Sequence, residues 1–261
     1  MRLLFSILLL FSTCGIADAQ NLIVKPDIDK EQNYFSAEVY NTFPCPIILT
    51  VKSTELDTSF QTFIPQKQKR ILFKWHDPPK VLSQNYRELF DYNFILGNPH
   101  VVHDDLYEYE LPYPKGESYK LAQGNKSEHT HNEIMSKYAF DFAMPEGSLI
   151  SAARGGVVGH VVEKYSKGGN NPDLKDKGNQ IMICHDDGTV ATYAHLQKDG
   201  AIVEMGDIVY AGQVIGFSGS TGYATFPHLH FVVTAGERSV PIYFKNQYSI
   251  LYEGLIYEHR E

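Results

Sequence analysis

The sequence predicts a mainly β protein: a small β-sandwich-like N-terminal part followed by an antiparallel β-sheet domain. Three observations predict it. Tyr (17 residues), Phe (15), Val, Ile and Thr recur in short runs, and such residues favour a pleated, half-buried surface. Turn signals containing Gly, Pro, Asn and Asp separate those runs. From about residue 128 to 236 no apolar pattern of helical period is present, whereas apolar runs alternate with glycine-rich turns.

The elements follow in order. Residues 1–19 carry Arg2, the apolar stretch Leu3 to Phe11 and the small-x-small site Ala17-Asp18-Ala19, the pattern of an export signal peptide. The apolar stretch is too short to span a bilayer. Cys14 as a lipid-anchored residue is the alternative, although Phe11-Ser12-Thr13 before it fits a lipobox poorly. Residues 20–115 contain strand-like runs at Tyr34–Val39, Pro46–Lys52, Ser59–Ile64 and Arg70–Trp75. Their spacing suggests a sandwich, and no chemical motif lies among them, so a spacer or docking role is expected. The polar, Pro- and Gly-containing stretch 108–127 reads as a linker. The second domain, 116–239, has runs at Gly155–Val162, Asn179–Cys184, Val190–Ala194, Ile208–Ile215 and Leu229–Val233, with a polar loop at 164–177. The tail 240–261 is expected to pack back on this domain as irregular structure.

The formal net charge is -8, unchanged by removing residues 1–19, which takes away Arg2 and Asp18 together. So acidic a chain is a poor candidate for nucleic-acid binding. No later stretch is apolar enough to cross a membrane. Export implies a periplasmic or secreted protein. Cys45 and Cys184 fall in different predicted parts, and Cys184 ends the apolar run Gln180-Ile181-Met182-Ile183, where it reads as a small buried hydrophobe. Neither a disulfide framework nor a thiolate metal site is expected.

The sharpest chemical feature is His228-Leu229-His230-Phe231. On a strand, positions i and i+2 share a face, so both imidazoles point one way while Leu229 and Phe231 point to a core. Two histidines on a rigid strand suit a metal, and they equally suit a wet polar face. Asp141 lies in Tyr138-Ala139-Phe140-Asp141-Phe142-Ala143, opposite the aromatics and beside small residues. It reads as a ligand or as a strand-end turn former. His195, in Tyr193-Ala194-His195-Leu196, ends a strand, where a capping or core role competes. His129 and His131 flank Thr130 in a polar loop, and either could reach a metal. His160 and His185 read as structural histidines.

Taken together, the segments YAFDFAMPEGSLISAARGGVVG, GNQIMICHDDGTVATYAHL, GDIVYAGQVIGFSGSTG and PHLHFVV resemble the lysostaphin/LytM family of zinc endopeptidases, the duplicated hybrid motif domain. The resemblance covers roughly residues 123–236. It implies that Asp141 and His230 bind Zn2+, one ion per chain, and that His195 and His228 are catalytic and face the reacting bond. The family's commonest pattern places the remaining ligand four residues before Asp141, where this chain has Lys137. The resemblance then implies a histidine further upstream: His131, with His129 as the alternative. The implied reaction is hydrolysis of peptide bonds in peptidoglycan, in the stem peptide or the cross-bridge, by zinc-activated water. A non-catalytic relative that activates other cell-wall hydrolases is the alternative, and a lipoyl-like carrier is a more distant one in which the histidines would have no purpose.

Overall fold

The computed structural model describes residues 22–29, 34–53, 57–76, 90–125, 131, 133–247 and 250–260. The expected signal peptide, Cys14 and His129 lie outside the described residues. The described residues form mainly antiparallel β-sheets, as the sequence predicted. Strands β1 (Leu22–Asp29), β2 (Tyr34–Asn41) and β5 (Lys69–His76) form one three-stranded sheet in the order β1-β2-β5. Strands β3 (Ile47–Ser53), β4 (Thr58–Ile64) and β6 (Asp91–Leu96) form a second, in the order β4-β3-β6. Alternation explains the pairing: Phe35, Ala37 and Val39 face inward from β2, and Ile47, Leu49 and Val51 from β3, so the two apolar faces close on one core. Asn41 fastens the turn region between them, its side-chain nitrogen donating to the Cys45 and Ile64 carbonyls and its oxygen accepting from the Phe43 amide.

The second part is an eleven-stranded sheet. Its strands are β8 (Ser118–Gln123), β9 (Phe140–Ala143), β10 (Leu149–Ser151), β11 (Gly156–Val162), β12 (Asn179–Cys184), β13 (Val190–Ala201), β14 (Ile208–Val209), β15 (Val214–Ser218), β16 (Leu229–Ala235), β17 (Arg238–Ser239) and β19 (Ile256–Glu258). The main path runs β14-β11-β12-β13-β16-β9-β8-β19. The expected single run Ile208–Ile215 is two strands, because Gly212 turns the chain at φ 80° between them. The polar loop at 164–177 contains a short 3-10 helix, Pro172–Lys177, started by Asn171 accepting from the Asp173 amide.

Stretch 108–127 is not a free linker. Tyr109, Leu111 and Tyr113 are fully buried in the core of the large sheet, and β8 is one of its strands. Their period-two spacing is a strand signal that the surrounding Pro and Gly obscured. The tail likewise contributes strands: β18 (Tyr243–Phe244) pairs in parallel with β7 (Glu108–Tyr109), and β19 pairs with β8.

The two parts are joined covalently. Cys45 and Cys184 form a disulfide across a sequence separation of 139, which overturns the expectation of unpaired cysteines. Sequence position placed them in different parts; docking of the sandwich on β12 brings their Cα atoms to 6.3 Å, within reach of a bridge. Cys184 and Val190 accordingly belong to the sandwich core. Gly159 permits the contact: a Cβ there would lie 2.6 Å from the Cys45 sulfur, 2.7 Å from that of Cys184 and 2.8 Å from Leu96 Cδ1.

His185, at the end of the β12–β13 hairpin, is buried, as a structural histidine should be. Its Nδ1 donates to the Gly155 carbonyl at 2.8 Å, while Nε2 is buried without a partner among the described residues. Burial, aided by the Arg154 charge, pushes its pKa down to about 4. Below the ordinary pKa of 6.5 the unfolded chain takes a proton that the folded chain refuses, so stability falls as pH drops from 6.5 towards 4. The expected loss is roughly 3 kcal/mol at about 1.4 kcal/mol per unit. Urea unfolding at pH 7 and pH 4.5 should show it, and His185→Gln should flatten that slope; an unchanged slope in the variant would assign the acid sensitivity elsewhere.

Candidate metal centre

The open face of the large sheet carries the candidate residues. Leu229, Phe231 and Val233 of β16 point into the core, so His230, Val232 and Thr234 stand on the opposite face. Asp141 of β9 does the same between buried Phe140 and Phe142. The register places His230 beside Asp141 on one side and Ala194 on the other. His230 Nδ1 lies 2.8 Å from Asp141 Oδ1.

His131 comes from outside the sheet and is 1% exposed. Its Nδ1 donates to the Gly124 carbonyl at 2.8 Å, which leaves the Nε2 lone pair facing Asp141 Oδ1 at 3.3 Å. That approach has ion-pair distance without hydrogen-bond alignment, and Nε2 has no hydrogen-bond partner among the described residues. One atom each of His131, Asp141 and His230 lies within 4.8 Å of the other two. A buried lone pair turned toward a carboxylate is costly unless a cation lies between them, and a nitrogen–oxygen–nitrogen donor set suits zinc. Lys137 is exposed, its ammonium over the Tyr138 ring, and takes no part.

His195 reaches the same space through a backbone irregularity. Gln180 pairs with Ala194 and Asn179 with Leu196, so His195 is the extra residue of a β-bulge, and its φ is 65°. The reason is in the packing. Tyr193 and Leu196 are both fully buried in the core, three positions apart, which simple alternation cannot satisfy. The bulge turns Ala194 and His195 together to the open face. A non-glycine residue in the left-handed region costs of order 1–3 kcal/mol, and neighbours must hold it there. Thr221 and Asn179 do so. His195 Nδ1 donates to the Thr221 carbonyl at 2.7 Å, the Thr221 hydroxyl donates to the Leu196 carbonyl at 2.6 Å, and the Asn179 amide nitrogen donates to its Oγ1 at 2.9 Å. The Asn179 side chain adds bonds to the carbonyls of Tyr165 and Gln197. His228 Nδ1 donates to the Phe226 carbonyl at 2.8 Å, leaving Nε2 3.9 Å from Asp141 Oδ2. The His195 and His228 ring centroids are 4.6 Å apart, and His195 and His230 5.9 Å.

Electrostatics separate these groups. Burial opposes ionisation of Asp141, but the His230 charge, its hydrogen bond and the close approach of the His131 and His228 rings outweigh it and hold the carboxyl far below the usual range. Burial opposes charge on His131 too, yet the adjacent carboxylate raises its pKa. Burial, then repulsion from His228 and His230, pushes His195 down to about 3. His228 is also lowered, first by burial. Both are therefore neutral near pH 7, with Nδ1 protonated and Nε2 free.

The structure thus gathers His131, Asp141, His195, His228 and His230 in one place. His160 is buried on β11, and His185 lies at the far end of β12. Thr221 and Asn179 were not singled out in the sequence. The available signal was a polar Asn heading an apolar strand, and a Thr inside a glycine turn read only as a turn.

The family profile described as "Peptidase family M23" matches residues 135–242, a span that begins just after His131. Lysostaphin of Staphylococcus simulans is 43% identical over 95 residues, covering 36% of this chain and 17% of that protein. The peptidoglycan DD-endopeptidase ShyA of Vibrio cholerae is 38% identical over 100 residues, covering 38% of this chain and 20% of that protein. The chain thus spans about a fifth or less of the length of these relatives. A solved structure of the lysostaphin catalytic domain from Staphylococcus simulans aligns at 34% identity and TM-score 0.30, over 47% of this chain and 80% of that one. Residues 135–242 thus carry a peptidase family M23 domain, similar to that of lysostaphin.

Proposed function

We propose that this protein is a zinc-dependent endopeptidase that hydrolyses peptide bonds in peptidoglycan, outside the cytoplasmic membrane. The observation that carries the reading is the convergence of His131 Nε2, Asp141 Oδ1 and His230 Nδ1 beside two neutral histidines whose Nε2 atoms face the same space. The relatives named for cell-wall cleavage support the substrate. The Cys45–Cys184 disulfide supports an oxidising compartment. Among the described residues no helix is long and apolar enough to cross a membrane.

His131, Asp141 and His230 would hold the metal. A zinc ion with three protein ligands supplies Lewis acidity toward a carbonyl oxygen and makes water nucleophilic near neutral pH. The remaining work falls to this chain's side chains. His195 and His228 keep Nε2 unprotonated, because each commits its Nδ1 proton to a backbone carbonyl. Each can accept a proton from water at Nε2 and then donate it to a departing amine. The Asp141 carboxylate, 3.9 Å from His228 Nε2, steadies the charged form of that ring.

The test is zinc content together with digestion of purified peptidoglycan, with and without chelator. The expected result is about one zinc per chain by the three-ligand logic, and fragments released only in the metal-loaded protein. His131→Ala should lose the metal, whereas His129→Ala should keep most of it, since a neighbouring group changes affinity only about 10–100-fold. Loss of metal in His129→Ala alone would reverse the ligand assignment. Wall binding without fragment release would favour the non-catalytic regulator.

A further inference from the structure

The open face can be followed in rows. Gln180, Ala194, His230 and Asp141 lie side by side in the first. His160, Met182, Thr192 and Val232 form the next parallel row, two residues along each strand. Cys184, Val190 and Thr234 form the third, where the sandwich is seated by the disulfide and by Val190 in its core. From Ala194 to Val190 is four residues along β13, roughly 14 Å at about 3.4 Å per residue. The middle row therefore floors a channel. Tyr223, Phe226 and residues of the 3-10 helix line this space, and so do Phe94, Ile95 and Leu96 of β6. One cavity of about 870 Å³ is lined by both groups and by the metal-centre residues.

We propose that β6 of the N-terminal sandwich is one wall of the substrate channel, and that Phe94 sets specificity there for an apolar side chain of the peptide. This rests on the peptidase reading above and deepens it. Phe94 is half-buried, its ring 4.7 Å from that of Phe43, which also stands 6.1 Å from the His160 ring. Phe94 is thus packed on the sandwich core and also lines the cavity. Met182, Val232 and Thr192 of the middle row line the same cavity and, His160 apart, offer little to a charged group. The wall cannot swing aside as a flexible spacer would. The disulfide, the shared core and the close approach at Gly159 fix it to β11 and β12. Gln61 donates to Glu237 at 2.8 Å as a further tie. Phe94 acts by contact with a substrate side chain and takes no part in proton transfer.

The experiment uses the full mature chain loaded with zinc. Wall digestion first identifies the bond cut; peptides containing that bond, varied one position at a time on both sides, then give kcat and KM for wild type, Phe94→Ala and Phe94→Leu. The expected result for Phe94→Ala is a roughly tenfold higher KM for peptides with an apolar residue at one position, as one well-filled apolar contact allows. The kcat should stay within about twofold and preferences elsewhere should be unchanged. Phe94→Leu should recover most of the selectivity, which a merely destabilised variant would not do. A preference profile identical to wild type in both variants overturns the wall assignment and leaves the peptidase reading standing. Failure of the zinc-loaded wild type to cut the wall at all overturns both.

Discussion

Replacing His195 with alanine is expected to lower the initial cleavage rate by about 10²–10⁴-fold, the usual cost of removing a general acid–base or oxyanion-stabilising group. Zinc content should stay unchanged. His195 lies beside the cluster of His131, Asp141 and His230 without belonging to it. Its Nδ1 is bound to Thr221, so only Nε2 is available to a reacting group. The fold should survive, because alanine can keep the φ of 65° and Tyr193 and Leu196 still demand the bulge. His228→Ala should behave alike, while His230→Ala should lose metal and activity together. The measurement is zinc content beside cleavage rate for the three variants. Near wild-type activity in His195→Ala would show the proton-transfer assignment to be wrong even with the metal bound.

Loss of the interdomain disulfide is the second large effect. The bridge closes a loop of sequence separation 139. In the chain-entropy account such a crosslink stabilises by about 5 kcal/mol, and native disulfides generally contribute about 2–5 kcal/mol. The Cys45→Ser, Cys184→Ser double variant should lower the denaturant midpoint accordingly, and reductant should reproduce the loss in the wild type. An unchanged midpoint would mean that the shared core alone holds the sandwich. Producing only residues from about 98 onward, which keeps Tyr109, Leu111 and Tyr113 in the core of the large sheet, has a related consequence. Every residue assigned to chemistry is retained, yet Met182, Cys184 and Val190 lose their covering. Such a fragment should show exposed apolar surface and altered substrate preference, with its metal centre complete.

Much of this protein could be read from its amino acids. Strands at 34–39, 46–52, 59–64 and 70–75 were legible within one or two residues, because period-two patterning and turn residues report on a half-buried sheet directly. The shared face of His228 and His230, and Asp141 set against the aromatics, followed from the same alternation. Strands β6 and β8 were missed. In β8 only Leu121 is fully buried, and its place in the sheet is set by partners later in the sequence. The tyrosines at 109 and 113 were hidden for a similar reason: prolines and glycines beside them resemble a linker until a core is there to receive them.

The sequence by itself determined the β character, the strand faces and the set of histidines and the aspartate that could serve a metal, since these depend on local period and residue chemistry. Tertiary structure decided what depends on distance. It brought His131 from an upstream loop to within 3.3 Å of Asp141 while Lys137 faced solvent. It bulged β13 at His195, because two core residues three apart had to be buried at once. It paired Cys45 with Cys184 across 139 positions and set Phe94 beside the channel. A chain's local pattern cannot encode such meetings in readable form: they arise where separate apolar faces close on one another, and only then do the polar groups between them acquire neighbours.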